Sequence, residues 1–418
     1  MISINNIVNV EFTIKRSAEI AGSYNTTLFL VPEASVTNTG AVLCSSIDDV
    51  KAIAKKSSGN FTDEGTKLIS DAAIYFGNGG VKLLVKPVGN FTKNDFITDV
   101  KNAKSFLETN NKSKGLTDTF LYVVIDKALI DTESSTSSTA YTLTVLSDIV
   151  DYIEGLKAPY GIRLCLTTTD KNFIVNADKN FNLTNKSVIV KYANTTTTKT
   201  AVNNEVLTTA AYFTQINLNT VASVKDYCYT PETIFVSDNT GKITELVDGG
   251  ANNVSNEDYE LLKNRYNFID SVGNKVVNFG GNLTNTTSVS IDFANICAEN
   301  DIVNGVLDII TNKQYLTDSG LTNVVSEINR KLQRYKTNGY LNVGAQYSGE
   351  DFKLTYNGRI YDVLNHGATL SQGFYIFTIP VSNISIKDRN DKKFPPIYVI
   401  METLGGARLV EINGEVRV

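Results

Sequence analysis

Residues 63–88, DEGTKLISDAAIYFGNGGVKLLVKPV, decide the fold. The first half has the helical period: Leu68, Ile69, Ala72 and Ala73 fall on one face, so residues 63–76 read as an amphipathic helix. The second half, residues 81–88, is a largely apolar run that ends near Pro87, which reads as a strand. Between them the chain must stop a helix and start a strand within a few residues. Positive φ is cheap for glycine and tolerable for asparagine, so Asn78, Gly79 and Gly80 are read as a structural turn. The order also speaks against a phosphate loop. Such a loop runs strand, glycines, helix, so that amides at the helix N-terminus face the anion.

The alternation repeats outward. Residues 27–32 form a short apolar strand. Ser46-Ile47-Asp48-Asp49 opens a helix as a capping box, with Val50, Ile53 and Ala54 as its inner face. A helix starting at Thr92 places Phe96, Val100, Ala103 and Leu107 on one face, and residues 120–125 are a continuous apolar strand. Leu146, Ile149, Val150 and Ile153 mark another helix, and residues 161–167 another strand. This pattern predicts an α/β fold with largely parallel strands, residues 23–168 forming its first part. Residues 169–205 turn polar and Thr-rich around one alternating strand, 188–192, and are expected to be a small β insertion facing outward. Residues 206–404 resume as a second α/β part. They hold a capping box at Ser255 and a hairpin around Gly273-Asn274. A long helix over 293–310 contains Gly305. A second long helix buries Leu321, Val324, Val325, Ile328, Leu332 and Tyr335. Strands near 374–379 and 397–403 flank a charged loop, 387–394.

Both ends alternate strictly. Val8, Val10, Phe12 and Ile14 oppose Asn9, Glu11, Thr13 and Lys15, while Val410, Ile412, Val416 and Val418 oppose Glu411, Asn413, Glu415 and Arg417. A half-apolar strand outside an α/β body exposes unpaired amides and needs a partner sheet. Residues 1–22 and 405–418 are therefore expected to be β-strand arms exchanged between subunits by β-augmentation. The alternative is that they complete the chain's own sheet.

The composition narrows the function. The chain has 418 residues, 42% of them hydrophobic, and a formal net charge of −5, which argues against a nucleic-acid partner. No apolar run approaches the roughly 20 residues of a membrane span, so no direct membrane insertion is expected. The first residues lack the apolar core of a secretory signal, so synthesis in a cytoplasm is expected. Cys44, Cys165, Cys228 and Cys297 lie far apart, in apolar settings and without a CxxC pair. They read as free thiols rather than disulfides or a zinc site. The single histidine, His366, sits among turn-forming residues and reads as an exposed loop residue. There is no HExxH, GxSxG, GxxxxGK[ST] or GxGxxG motif. The loop 238–245, DNTGKITE, lacks the spaced carboxylates of a calcium loop. No catalytic, cofactor-binding or metal-ligating residue is expected.

Several motifs together resemble a family. The run Tyr75-Phe76-Gly77-Asn78-Gly79-Gly80-Val81-Lys82-Leu83-Leu84-Val85 is similar to the helix–Asn-Gly-Gly–strand segment of phage tail sheath proteins. The opening Ile7-Val8-Asn9-Val10, the helix at Gly320, Asn338-Gly339 and the loop Lys387-Asp388-Arg389 with Pro395-Pro396 look like the same family. So does Gly405-Gly406-Ala407 followed by an alternating strand. The match runs in order over nearly the whole chain. The resemblance implies a tail-sheath-like α/β core with two arms. It also implies a structural role without an active site: stacked hexameric rings around an inner tail tube, contraction triggered by a baseplate, and a tail terminator. The particle would be a virion tail or tail-like machine assembled in a host bacterial cytoplasm. The basic face of Arg330, Lys331, Arg334 and Lys336 would then meet an acidic tube surface; its alternative is a solvated helix face. Two other classes compete: an α/β enzyme, which the alternation allows but no motif supports, and a surface-layer or adhesin protein, which the Thr/Asn richness allows.

Overall fold

The computed structural model describes residues 23–89, 91–114, 118–130, 136–156, 161–194, 203–218, 226–272, 274–311 and 315–404. Eight strands build the central sheet: β1 Ser23–Pro32, β2 Val42–Cys44, β3 Lys82–Val88, β4 Asp118–Ile125, β5 Arg163–Thr168, β6 Ile189–Tyr192, β7 Asn267–Val272 and β8 Lys275–Phe279. Their spatial order is β8-β7-β6-β5-β4-β1-β3-β2. The six strands from β7 to β3 run parallel, and β2 and β8 close the edges antiparallel. In the middle of the sheet Leu28 stands between Leu84 and Val123.

Helices cover both faces, which is why the parallel strands are apolar on both sides. One layer holds α1 Ile47–Ile53, α2 Asp63–Gly77, α6 Val206–Thr214, α8 Val289–Thr311 and α9 Asp318–Thr337; here Phe29 and Val31 of β1 meet Leu68, Ala210, Phe293 and Leu332 in one cluster. The other layer holds α3 Lys93–Lys114, α4 Thr136–Glu154, α5 Phe173–Phe181 and α7 Asn256–Leu262; here Leu28 and Leu30 join Phe96, Val100, Leu146, Ile149 and Leu262. The inner faces read from the helical period in residues 63–76, 92–107 and 318–337 are buried, except that Val325 is half-buried. The caps read at Ser46 and Ser255 also form: Ser46 Oγ accepts the Asp49 amide at 3.2 Å and Ser255 Oγ the Asp258 amide at 3.1 Å.

Residues 169–205 are the main correction. Their described part, 169–194 and 203–205, is not an outward β insertion. Helix α5 packs in the second layer, and β6 lies inside the sheet, between β5 and β7. The charge of Lys191 does not put the strand 188–192 at a solvated face. Lys191 is in fact fully buried. Its Nζ donates to Thr208 Oγ1 at 2.5 Å, Glu232 Oε2 at 2.5 Å and Tyr227 OH at 3.2 Å. A buried charge met on three sides can sit where an apolar residue would.

After α9 the chain makes two further hairpins outside the sheet. The first pairs β9 Phe352–Tyr356 with β10 Arg359–Leu364, and the second pairs β11 Phe374–Thr378 with β12 Ile397–Met401; a short helix, α10 Ile386–Asn390, lies between β11 and β12.

Candidate functional site

The β11–β12 hairpin is a sheet of its own. Phe374 stands opposite Met401, Ile376 opposite Val399 and Thr378 opposite Ile397, and among the described residues no third strand pairs with either edge. Alternation covers both faces. Phe374, Ile376, Ile397, Val399 and Met401 pack on the main core, while Phe377, Tyr398 and Ile400 pack on the small cluster of Leu354, Val363, Leu364 and Ile379. The result is a short sheet packed on both faces, with Tyr375 left 38% exposed, and with two edges that no strand among the described residues pairs, each a row of backbone donors and acceptors.

The described chain leaves this hairpin beside the end of α9 and begins against α8. On leaving β12, Thr403 bridges Leu341, and the Leu404 amide donates to the Tyr340 carbonyl at 2.9 Å. At the other end Tyr24, the second residue of β1, packs edge-on against Phe293 with ring centroids 6.5 Å apart, and its hydroxyl accepts from Asn300 Nδ2 at 3.1 Å. The arm residues Val8, Val10, Phe12 and Ile14, and Val410, Ile412, Val416 and Val418, lie outside the described residues.

The four basic residues of α9 do not form one free row. Arg330 is the outward one, with its side chain 66% exposed and paired to Glu327 through Nε at 2.8 Å and Nη2 at 2.5 Å. That hydrogen bond holds the Glu327 carboxyl below the usual carboxylate range. Lys331 lies 3.8 Å from the same carboxylate, and Lys336 Nζ donates to Gln372 Oε1. Arg334 turns inward: Nη1 donates to Asp301 Oδ2 at 2.9 Å and Nε to the Leu218 carbonyl at 3.3 Å. The cause is the close approach of α8. A Cβ on Gly305 would stand 2.8 Å from both Glu327 Oε1 and Lys331 Cε, so the two helices nearly touch there. The face that helical spacing assigned to solvent is partly a helix–helix seam.

The turn at Asn78 is a junction as well as a stop. Asn78 caps α2, and Gly79 follows at φ +86°. The Gly80 amide donates to the Tyr75 carbonyl at 2.9 Å. The Asn78 side chain reaches Ile74 and Thr233, and Gln215 Nε2 on the far side of α6 donates to its carbonyl at 2.7 Å.

Other candidates resolve into structural roles. His366 is exposed, with Nδ1 2.9 Å from the Gly349 carbonyl. Cys44, Cys165 and Cys297 are buried and Cys228 is half-buried; none of the four is in a disulfide. Burial pushes the Cys44 thiol up to about 12. Asp238 Oδ1 accepts the amides of Thr240 and Lys242 at 2.9 and 3.0 Å, so this carboxylate closes its own loop. Sequence reading missed a second polar cluster at the carboxyl end of β4: Lys67 Nζ bridges Asp71 at 3.1 Å and Asp126 at 2.7 Å, and Asn204 donates twice to Asp71 at 2.8 Å. Among the described residues no group of carboxylates, cysteines and histidines is arranged to hold a metal ion, and no helix is long and apolar enough to cross a membrane.

Comparison with known proteins bears on this architecture. No curated protein matches the chain in sequence. Residues 295–416, which run from within α8 through α9 and both hairpins, match the family model described as "E217 tail sheath protein gp31-like, C-terminal domain". The anti-feeding prophage helical sheath in its contracted state aligns over 96% of this chain and 94% of its own, with a TM-score of 0.54 at 13% identity. The baseplate of the same prophage, also contracted, contains a chain that aligns over 99% of this one and 98% of its own, with a TM-score of 0.59 at 12% identity. The chain thus has the mixed α/β fold of these sheath structures, and its residues 295–416 are similar to the tail sheath C-terminal domain that the family model describes.

Proposed function

We propose that this chain is the structural subunit of a contractile sheath. In this reading it polymerises as stacked hexameric rings around an inner tail tube and contracts to drive that tube through a host envelope. The observation that carries the reading is the β11–β12 hairpin with its two open edges. Residues 1–22 and 405–418 supply strands of the right character, with Val8, Val10, Phe12 and Ile14 on one and Val410, Ile412, Val416 and Val418 on the other. Added to a neighbour's hairpin, each would make about six backbone hydrogen bonds, worth about 0.5–1.5 kcal/mol net apiece. Ordering the arm opposes this by roughly 1–2 kcal/mol per residue, so the balance per arm is modest. Repeated head to tail, such a contact builds an open lattice. The arms would tether bodies that repack during contraction.

No chemical step enters this reading. The work comes from the free-energy difference between two packings of the same subunits. Partners are further copies of the chain, the inner tube protein, and baseplate and tail terminator proteins; the place is a virion tail or tail-like particle built in a host cytoplasm. The enzyme alternative is less well supported. In open parallel sheets ligands bind at the carboxyl ends of the strands where their order reverses. Here that end of β1 and β4 is filled by Asp126, whose amide donates to the Leu30 carbonyl at 2.9 Å, and by Lys67, Asp71 and Asn204 bonded to one another.

Electron microscopy of the purified full chain tests the proposal. Hollow tubes are expected, and deletion of Leu409–Val418 is expected to leave a folded, soluble chain that forms none. Discrete particles from the full chain, or normal tubes from the truncated one, would overturn it.

A further inference from the structure

We propose that Asp301 is a positioning residue that couples the roots of the two terminal segments, so that a displacement at one is felt at the other. The purpose of this coupling rests on the sheath reading above; its geometry does not. The described chain enters at Ser23-Tyr24 and leaves at Leu404, and a continuous set of contacts joins the two points. The Tyr24 hydroxyl accepts from Asn300 on α8. The next residue, Asp301, accepts the Tyr335 hydroxyl at 2.8 Å and Arg334 Nη1 at 2.9 Å on the same oxygen, which ties α8 to the last turn of α9. The Tyr335 carbonyl in turn accepts the amides of Tyr340 at 3.0 Å and Leu341 at 3.2 Å. Tyr340 then takes the Leu404 amide, and Leu341 bridges Thr403.

Every inner member is packed. Asn300 is 2% exposed, Asp301 4%, Tyr335 0%, Tyr340 2% and Leu341 1%. Burial, then Cys297, then the Asp301 charge raise both the Tyr24 and the Tyr335 hydroxyls well above the ordinary tyrosine value, so both stay protonated. A second tie reinforces the first: the Tyr340 hydroxyl donates to Asn295 Oδ1 at 2.6 Å, back on α8. The two arm roots therefore share one rigid strut, α8, and Asp301 is where that strut takes hold of α9. In a lattice where each arm pairs with a different neighbour, such a link would let a shift of one neighbour bias the contact with the other. That is the requirement for contraction to travel from ring to ring.

Amide hydrogen exchange on the soluble full chain tests the coupling without requiring polymerisation. Tyr24→Phe removes only a hydroxyl at the N-terminal root. It is expected to speed exchange of the Tyr340, Leu341 and Leu404 amides by about tenfold through local opening. In an Asp301→Asn background the same substitution should add nothing. Should Asp301→Asn fail to fold, Tyr335→Phe breaks the same link without altering charge. Unchanged exchange in Tyr24→Phe, or an equal increment in both backgrounds, would overturn the proposal. Failure of the chain to form tubes while the coupling persists would instead count against the sheath reading alone.

Discussion

Asn78 and Thr233 exchange two hydrogen bonds. Asn78 Nδ2 donates to the Thr233 carbonyl at 2.7 Å, and Asn78 Oδ1 accepts the Thr233 amide at 2.9 Å. The side chain thus imitates a strand partner for a segment 155 residues away, while Nδ2 also caps the Ile74 carbonyl at 2.7 Å. Asn78→Ala would strand the Thr233 amide and carbonyl, each worth about 1–3 kcal/mol when left unpaired in the interior, while the Ile74 carbonyl keeps the residue 78 amide at 3.2 Å. A loss of about 2–4 kcal/mol is expected in urea unfolding of the soluble chain. A loss below half of the lower figure would mean that water replaces the side chain.

Gly79 and Gly80 look equivalent in sequence and are not. At Gly79, φ is +86° and an added Cβ would meet Gln215 Oε1 at 2.5 Å, the end of a flexible side chain. Gly79→Val should therefore lower stability through backbone strain, by about 1–3 kcal/mol. At Gly80 a Cβ would meet the Tyr75 ring at 2.4 Å, and that ring is fixed by its hydroxyl bond to the Lys82 carbonyl at 2.8 Å. Gly80→Ala should cost at least as much as Gly79→Ala. A thermal melt of the two alanine variants checks the order.

Much of the fold was legible because it is local. In residues 63–88 a helical period, a stop and an apolar strand can each be read from residues that are neighbours in sequence. What failed depended on distant partners. Residues 169–205 read as an insertion because nothing near Lys191 in sequence reveals its partner Glu232. Arg334 looked like a free base because helical spacing does not show that α8 lies against it, although Gly305 inside a long helix was a signal of close approach. The strands at 374–379 and 397–403 were visible, but their isolation as a two-stranded sheet follows from which strands pair, and no local pattern carries that.

Lys104 offers a pH signature. Its ammonium lies 5.8 Å from the Phe120 ring centroid, and burial pushes it down to about 8, with Glu108 opposing. The folded state thus holds this proton less tightly than the unfolded chain, whose lysine titrates near 10.5. Below about 8 both states are charged and the burial penalty is fully present; between about 8 and 10.5 the unfolded chain binds more protons, and stability rises with pH. Lys104→Met should therefore be more stable than the parent by about 1–2 kcal/mol near neutral pH, the gap narrowing through that window. A gap that stays constant with pH would assign the gain to packing.

The Lys191–Glu232 pair should behave as a buried ion pair does. Lys191→Met leaves the Glu232 carboxylate, 4% exposed, without its cation, and should cost about 3–5 kcal/mol. Adding Glu232→Gln removes the orphaned charge, so the double variant should be more stable than the single one. Denaturant unfolding of four chains, the parent, Lys191→Met, Glu232→Gln and the double variant, closes the cycle. A double variant no better than Lys191→Met would mean that the cluster is held by the hydroxyls of Thr208, Thr209 and Tyr227 rather than by charge.

Arg330 and Arg334 separate assembly from folding. Both were candidates for the tube-facing surface, and reversing both at once would give an ambiguous result. Arg334→Glu would set a second carboxylate where Arg334 now pairs with Asp301, whose side chain is 5% exposed. A loss of about 3–5 kcal/mol is expected, and any failure to assemble would follow from that. Arg330 is a surface residue whose pair with Glu327 is worth about 0–1 kcal/mol, so Arg330→Glu should leave the melt nearly unchanged. If the outward face of α9 grips an acidic tube, Arg330→Glu should abolish co-assembly on tubes. Parent binding should also weaken as salt rises, since exposed charges are screened within about 8–10 Å. Normal co-assembly of Arg330→Glu, measured by pelleting with the tube protein, would remove this helix face from the tube contact and leave the hairpin edges as the site that remains to be mapped.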